Sequence, residues 1–240
     1  MNFVRPFIIT AFILASLAVP ASAGNTVLAS GAGYKKMVNA LNTAYTKQSG
    51  QSVDLVFGNM ARVITLAKQS GRVGIVLGDE VFIEKDNLPM HTKLELGRGK
   101  LVLAFAKSSK FSKIEDLDIA GRIALPDTKK AIYGKAAREY LQSSKRLPGI
   151  TPRLIEVSTV PQVFSYLATN EVDMGFLNLT HTLNVADKLG SYIIIDEKGY
   201  SPIRIIAGIL DNCDNMTQAQ AFLDFLKTPK AKAIIKAHGL

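Results

Sequence analysis

Short apolar runs alternate with amphipathic helical stretches along nearly the whole chain, and this alternation constrains the fold more than any other feature. Strands that recur with one helix between them build βαβ units, and such units give a mainly parallel sheet covered by helices. Thr26 to Ala29 reads as a strand, and Tyr34, Met37, Val38, Leu41, Ala44 and Tyr45 then fall on one helical face. Val53 to Phe57 is a second strand, a helix follows from about Ala61, and Val73 to Leu77 is a third strand. A second series starts with the strand Lys100 to Ala106 and continues with Arg122 to Leu125, which feeds a helix from Gly134 to Ser143. Val160, Val163, Phe164 and Leu167 form another i, i+3, i+4, i+7 face. Met174 to Leu177 is a strand ending at Asn178, with a helix predicted over Thr180 to Leu189. After Tyr192 to Ile195, the strand Ile203 to Leu210 and helices Thr217 to Leu226 and Pro229 to His238 close the chain. The two series, joined at Lys100 and again at Ile203, fit a chain that crosses from a first lobe to a second and then returns.

The segment from Pro126 to Gly134 lies where an apolar run gives way to a polar loop that opens onto a helix. Helix N-termini leave N–H groups unpaired and carry partial positive charge, which makes such a loop an anion cradle. In open α/β sheets, ligands bind outside the carboxyl ends of the strands. Ser30-Gly31-Ala32-Gly33 sits at the corresponding place after the first strand, where small residues let a ligand approach the backbone. Gly58-Asn59-Met60 follows the second strand, with Asn59 placed to cap the next helix. Tyr133 either packs on its helix or faces the ligand, and Asn178 either caps its helix or does the same. Parallel strands within each lobe would bring these loops to one edge and a common cleft.

The first residues bear on compartment. Met1 to Arg5 carries one positive side chain, Pro6 to Val19 is almost wholly apolar, and Ala21-Ser22-Ala23 has small residues suited to a signal peptidase, so cleavage after Ala23 is expected. No cysteine stands at that site for lipid attachment, and no apolar run reaches the roughly 20 residues of a membrane span. The expectation is a soluble protein of a Gram-negative periplasm, with 217 of the 240 residues left after cleavage. The single Cys213 cannot form an internal disulfide, so stability must come from the core.

The net charge of +9 is spread along the chain rather than clustered. Without tryptophan or basic runs interleaved with aromatics, nucleic acid is not an expected partner, and the balance fits a solvated surface or an anionic ligand. His91, His181 and His238 are scattered and away from metal-ligand spacing, so no bare cation site, cofactor or zinc centre is expected. Neither a nucleophile elbow nor a Walker loop is present. Asp79-Glu80 and Glu115-Asp116 are adjacent acidic pairs read as solvated or capping charges, since neighbours in sequence do not face each other on a helix. An enzyme is not expected.

Several segments together resemble the periplasmic molybdate-binding proteins of ABC importers. They are Ala44 to Gly50, Phe57-Gly58, Leu101 to Leu103, Lys113 to Leu117, Ile123 to Asp127, Gly134, Asn170 to Gly175, and the ending Gln220 to Leu226 with Pro229 and His238-Gly239. The resemblance covers essentially the whole mature chain. It implies a two-lobed type II periplasmic binding protein fold, each lobe a mainly parallel sheet flanked by helices, with the ligand cleft between lobes. The expected division is 1–23 as signal peptide, 24–100 plus 203–240 as lobe one, and 101–202 as lobe two.

The family holds a tetrahedral oxyanion with neutral donors from both lobes. Its two lobe-one serines fall here on Gly33 and on Met60 beside Asn59; in lobe two its backbone donors fall on Tyr133 and Val160, and its tyrosine falls on Asn178. Ser30, Asn59 or the backbone of Gly33 can stand in for the missing hydroxyls, while Met60 either packs under the cleft floor or signals a ligand with an apolar part. The resemblance implies a small anionic ligand such as molybdate or tungstate, an inner-membrane ABC permease as partner, and a monomer. Another anion or small organic acid, or a periplasmic sensor or adaptor role without transport, are the alternatives.

Overall fold

The computed structural model describes residues 24–240, so the expected signal peptide lies outside the described residues. The chain begins with β1 (Val27–Gly31), a 3-10 turn over Ala32–Tyr34 and α1 (Lys35–Ser49), followed by β2 (Asp54–Gly58), α2 (Met60–Gln69), β3 (Val73–Asp79), α3 (Glu80–Lys85) and β4 (Met90–Gly99). It then runs through β5 (Leu101–Phe105), β6 (Ile123–Pro126), α4 (Ile132–Ser143), α5 (Leu147–Ile150), β7 (Leu154–Val157), α6 (Val160–Ala168), β8 (Met174–Asn178), α7 (Leu179–Leu183) and β9 (Ser191–Ile194). β10 (Ile203–Leu210), α8 (Met216–Leu226) and α9 (Pro229–Ala237) complete it.

Two five-stranded sheets result, with orders β2-β1-β3-β10-β4 and β7-β6-β8-β5-β9. In the first, β1 pairs parallel with β2 and β3, and β10 runs antiparallel to β3 and β4. In the second, β6 pairs parallel with β7 and β8, and β5 runs antiparallel to β8 and β9. Each sheet therefore has four strands in one direction and one reversed. The reversed strands, β5 and β10, are the two that follow a crossing from the other lobe. A parallel strand ends at the cleft, whereas a strand arriving from the opposite lobe starts there and must run the other way.

α2 packs on β1, β2 and β3, α3 and α8 pack on β10, and α4 and α6 cover β6 and β8 of the second sheet. The helical faces that bury Leu28, Met37, Leu41, Val63 and Ile75 in one lobe and Leu103, Ala137, Val163 and Phe176 in the other belong to one continuous core. Near the crossings, Leu101 N–H donates to Tyr200 Oη at 3.0 Å, and Leu179 N–H donates to Lys100 O at 3.0 Å.

The sequence pattern missed β4, β7 and the short helices α3 and α5, and overran one helix. β4 was not expected, because it carries few apolar residues. Its signal was alternation, with His91, Lys93 and Glu95 outward between half-buried Thr92, Leu94 and Leu96. The helix predicted over Thr180 to Leu189 breaks into α7 and a 3-10 turn at Ala186–Lys188. Asn184 ends it: its N–H bonds His181 O at 3.0 Å and its side chain turns back to Thr180 O at 2.6 Å, local bonding that competes with helix propagation.

Candidate functional site

The loop before α4 folds back upon itself. Asp127 Oδ1 accepts from Lys129 N–H at 2.9 Å and from Lys130 N–H at 2.8 Å, and Asp127 O accepts from Ala131 N–H at 3.0 Å. Gly134 makes this possible, because a Cβ there would lie 2.2 Å from Asp127 O and 2.3 Å from Pro126 O. The result presses the first turn of α4, with Ile132 and Tyr133, against the cleft. No side chain caps that turn.

On the opposite lobe, Asn59 caps α2 by accepting from Arg62 N–H at 3.0 Å, as its position before the helix suggested. Met60 is the first helical residue. Its side chain is 1% exposed and lies over two strand ends lacking side chains: a Cβ on Gly78 would come 2.4 Å from Met60 Sδ, and one on Gly31 3.9 Å.

The two halves enclose a cavity of about 20 Å³, lined from lobe one by Gly33, Tyr34 and Met60 and from lobe two by Ile132, Tyr133 and Val160, among others. This is little more than the space one water-sized sphere occupies. Met60, Tyr133 and Val160 are first-turn residues of α2, α4 and α6, and among the described residues their N–H groups have no protein acceptor. Three helix N-termini from both lobes thus border one cavity, bringing unpaired amides and partial positive charge to it, an arrangement that favours an anion.

Direct contacts tie the lobes around it. Ala61 N–H donates to Lys130 O at 3.2 Å, Asn59 Nδ2 donates to Ser158 Oγ at 3.1 Å, and Lys36 Nζ donates to Asn184 O at 2.7 Å. Asn178 Nδ2 donates to Gly33 O at 3.3 Å. The Tyr34 and Tyr133 hydroxyls hydrogen-bond each other at 2.5 Å across the cleft, both side chains being buried. Burial raises the Tyr34 phenol well above its usual range, with the neighbouring Tyr133 adding to the effect, and burial likewise raises Tyr133. Both phenols are therefore neutral at ordinary pH.

Among the sequence-expected site residues, Gly33, Asn59, Met60, Tyr133 and Val160 line the cavity together. Ser30 is buried within β1 with its hydroxyl directed to Gly31 O, and Asn178 stands behind Gly33. Tyr34 was missed as a site residue because its spacing places it on the core face of α1; its position directly after the small residues of the first strand-to-helix turn was the available signal. Of the acidic pair Asp79-Glu80, expected to be solvated or capping, both are buried and Asp79 takes the capping role. Asp79 caps α3 by accepting from Phe82 N–H at 3.2 Å and is raised to about 6 by burial, and Glu80 is buried against Lys93 and Arg204. Nor is His181 an ordinary surface residue: burial, followed by the charge of Lys36, lowers it to about 4, and its ring packs edge-on against Phe164.

Known proteins share this architecture. The molybdate-binding protein ModA of Rhodobacter capsulatus is 26% identical over 235 residues, covering 95% of this chain and 92% of the relative. ModA of Azotobacter vinelandii is 25% identical over 248 residues, covering 100% of this chain and 98% of its own length. The solved periplasmic molybdate-binding protein of Azotobacter vinelandii superposes with a TM-score of 0.82 at 25% identity, covering 90% of this chain and 98% of that one. The two-lobed periplasmic binding protein fold is thereby shared. Residues 26–240 match the bacterial extracellular solute-binding protein family as a whole, and the chain belongs to that family.

Proposed function

We propose that this protein is the periplasmic solute-binding component of an ABC importer, a monomeric carrier and not an enzyme, whose two lobes close on a small tetrahedral oxyanion of the molybdate or tungstate type. Lobe one comprises residues 24–100 and 203–240, and lobe two residues 101–202, with residues 1–23 serving as the export signal. The observation that carries the reading is the meeting of three unpaired helix N-terminal amides, of Met60, Tyr133 and Val160, at one cavity between the lobes. The names of the Rhodobacter and Azotobacter relatives supply the oxyanion. A four-oxygen anion exceeds the present cavity, so loading requires the lobes to part and reclose around it, and the closed form is what an inner-membrane permease would receive.

Thermal-shift and calorimetric titration with molybdate, tungstate, sulfate, phosphate and small carboxylates test the reading, since a ligand that binds only the folded state stabilises it. A saturable response to molybdate or tungstate is expected; its absence at millimolar concentration refutes the assignment. Val160→Pro removes one donor at a helix position that tolerates proline. It should weaken binding about tenfold to a hundredfold, as expected for a lost hydrogen bond of about 1.5–3 kcal/mol to a charged group.

A further inference from the structure

Asp79 ends β3 at the cleft, where lobe one meets lobe two and the second crossing. A small cavity there is lined by Asp79 and Phe82 of lobe one, Lys135 and Glu139 of α4, and Ser201 and Pro202 of the crossing. At about 10 Å³ it admits one water at most, and Asp79 is 4% exposed. Ile132 lines both this cavity and the candidate anion site, so the two adjoin at that side chain.

The Asp79 carboxylate has no cation of its own among the described residues. Its Oδ1 accepts from Phe82 N–H at 3.2 Å, while the cations around it are paired with other carboxylates. On α4, Lys135 is held by Glu139 at 3.0 Å; on β10, Arg204 is held by Glu80 of α3; on β4, Lys93 lies between Glu80 and Glu84 of α3. Tyr34 and Tyr133 are bonded to each other, and the charge of Asp79 adds to the burial that keeps both phenols neutral. Burial raises Asp79 itself to about 6, with the Phe82 amide and the charge of Lys135 acting against it. An anion entering the adjoining cavity brings a second negative charge into surroundings that screen poorly.

We propose that Asp79 couples anion binding to proton uptake: closing the lobes encloses its carboxylate beside the incoming anion, and the closed protein holds it as the neutral acid. The proton comes from solvent and bonds to a carboxyl oxygen. Opening the lobes returns the group to water, where it releases the proton. This inference rests on the oxyanion reading above and adds a pH dependence to the same site.

The test is calorimetric titration with molybdate and tungstate at pH 5.0 and 7.5, using wild type, Asp79→Asn and Asp79→Ser. Both substitutions keep an oxygen able to cap α3 and remove the ionisable group. A carboxyl at its ordinary 3.8 in the open form and about 6 in the closed form strengthens binding about tenfold as pH falls from 7.5 to 5.0. Wild type should show that gain relative to either variant, and both variants should bind more tightly than wild type at pH 7.5. Protonation of the free anion, and titration of His181 and His238, whose rings burial lowers, act alike in all three proteins and cancel in the comparison. Affinities of wild type and folded variant that change in parallel with pH, within twofold, overturn the inference and leave the oxyanion reading intact. If wild type binds neither anion at either pH, the reading fails and the inference fails with it. Should Asp79→Asn not fold, Asp79→Ser carries the comparison.

Discussion

Removing one hydroxyl of the Tyr34–Tyr133 pair should cost more than half of what removing both costs. The two oxygens stand 2.5 Å apart, and the side chains are 1% and 3% exposed, so neither hydroxyl can turn to bulk water when its partner is lost. Tyr133 has little room to relocate: a Cβ on Gly99 would sit 2.1 Å from its hydroxyl, which places that oxygen hard against the strand that leaves lobe one. Tyr34→Phe leaves the Tyr133 hydroxyl, and Tyr133→Phe that of Tyr34, with the Asn178 side chain as its only neighbouring partner, so each single costs up to about 1–3 kcal/mol, the figure for a buried unpartnered group. The double variant replaces both polar atoms by ring C–H and leaves nothing stranded, so its cost falls well below the sum of the singles. The expected coupling is about 1 kcal/mol or more, within the range for directly bonded pairs. Urea unfolding of the four proteins, with equal m-values to confirm a common cooperative transition, measures it. Strictly additive single costs would show that the hydroxyls do not depend on each other and would refute the argument.

Two further outcomes are expected. Gly134→Ala would drive a methyl group into the carbonyls of Pro126 and Asp127, neither of which is a flexible side chain end; loss of several degrees in Tm together with weakened oxyanion binding is expected, and a variant with wild-type Tm and affinity would remove the loop from the account. Asp79 and His181 should give pH dependences of opposite sign. Asp79 is raised from 3.8 to about 6 in the fold, so its contribution is most favourable below its unfolded value and is lost as pH rises from about 4 through 6. His181 is lowered from 6.5 to about 4, so its contribution is present above pH 6.5 and is lost as pH falls towards 4. Asp79→Asn should therefore gain on wild type between pH 4 and 7, and His181→Gln should lose on it, each by about 1–3 kcal/mol; unfolding free energies that shift in parallel at both pH values would contradict this.

The parts of this protein that the sequence determined by itself are those governed by short-range chemistry. Periodicity placed most strands and helices, and Asn59 before an apolar helical face marked a cap; that Gly134 has no room for a side chain is visible only in the fold. The same local view missed β4, whose alternation carries little apolar weight, and ran one helix past Asn184. Tertiary structure alone decided the reversed direction of β5 and β10, because that follows from where the chain crosses between lobes. It also decided that Tyr34, 99 residues from Tyr133, is its partner across a cleft and not simply a core residue of α1. Met60 shows the division most plainly. The sequence left open whether it packs under the cleft floor or signals a ligand with an apolar part; the fold lays its thioether over two glycines on neighbouring strands and sets it, at the start of a helix, in the cavity wall.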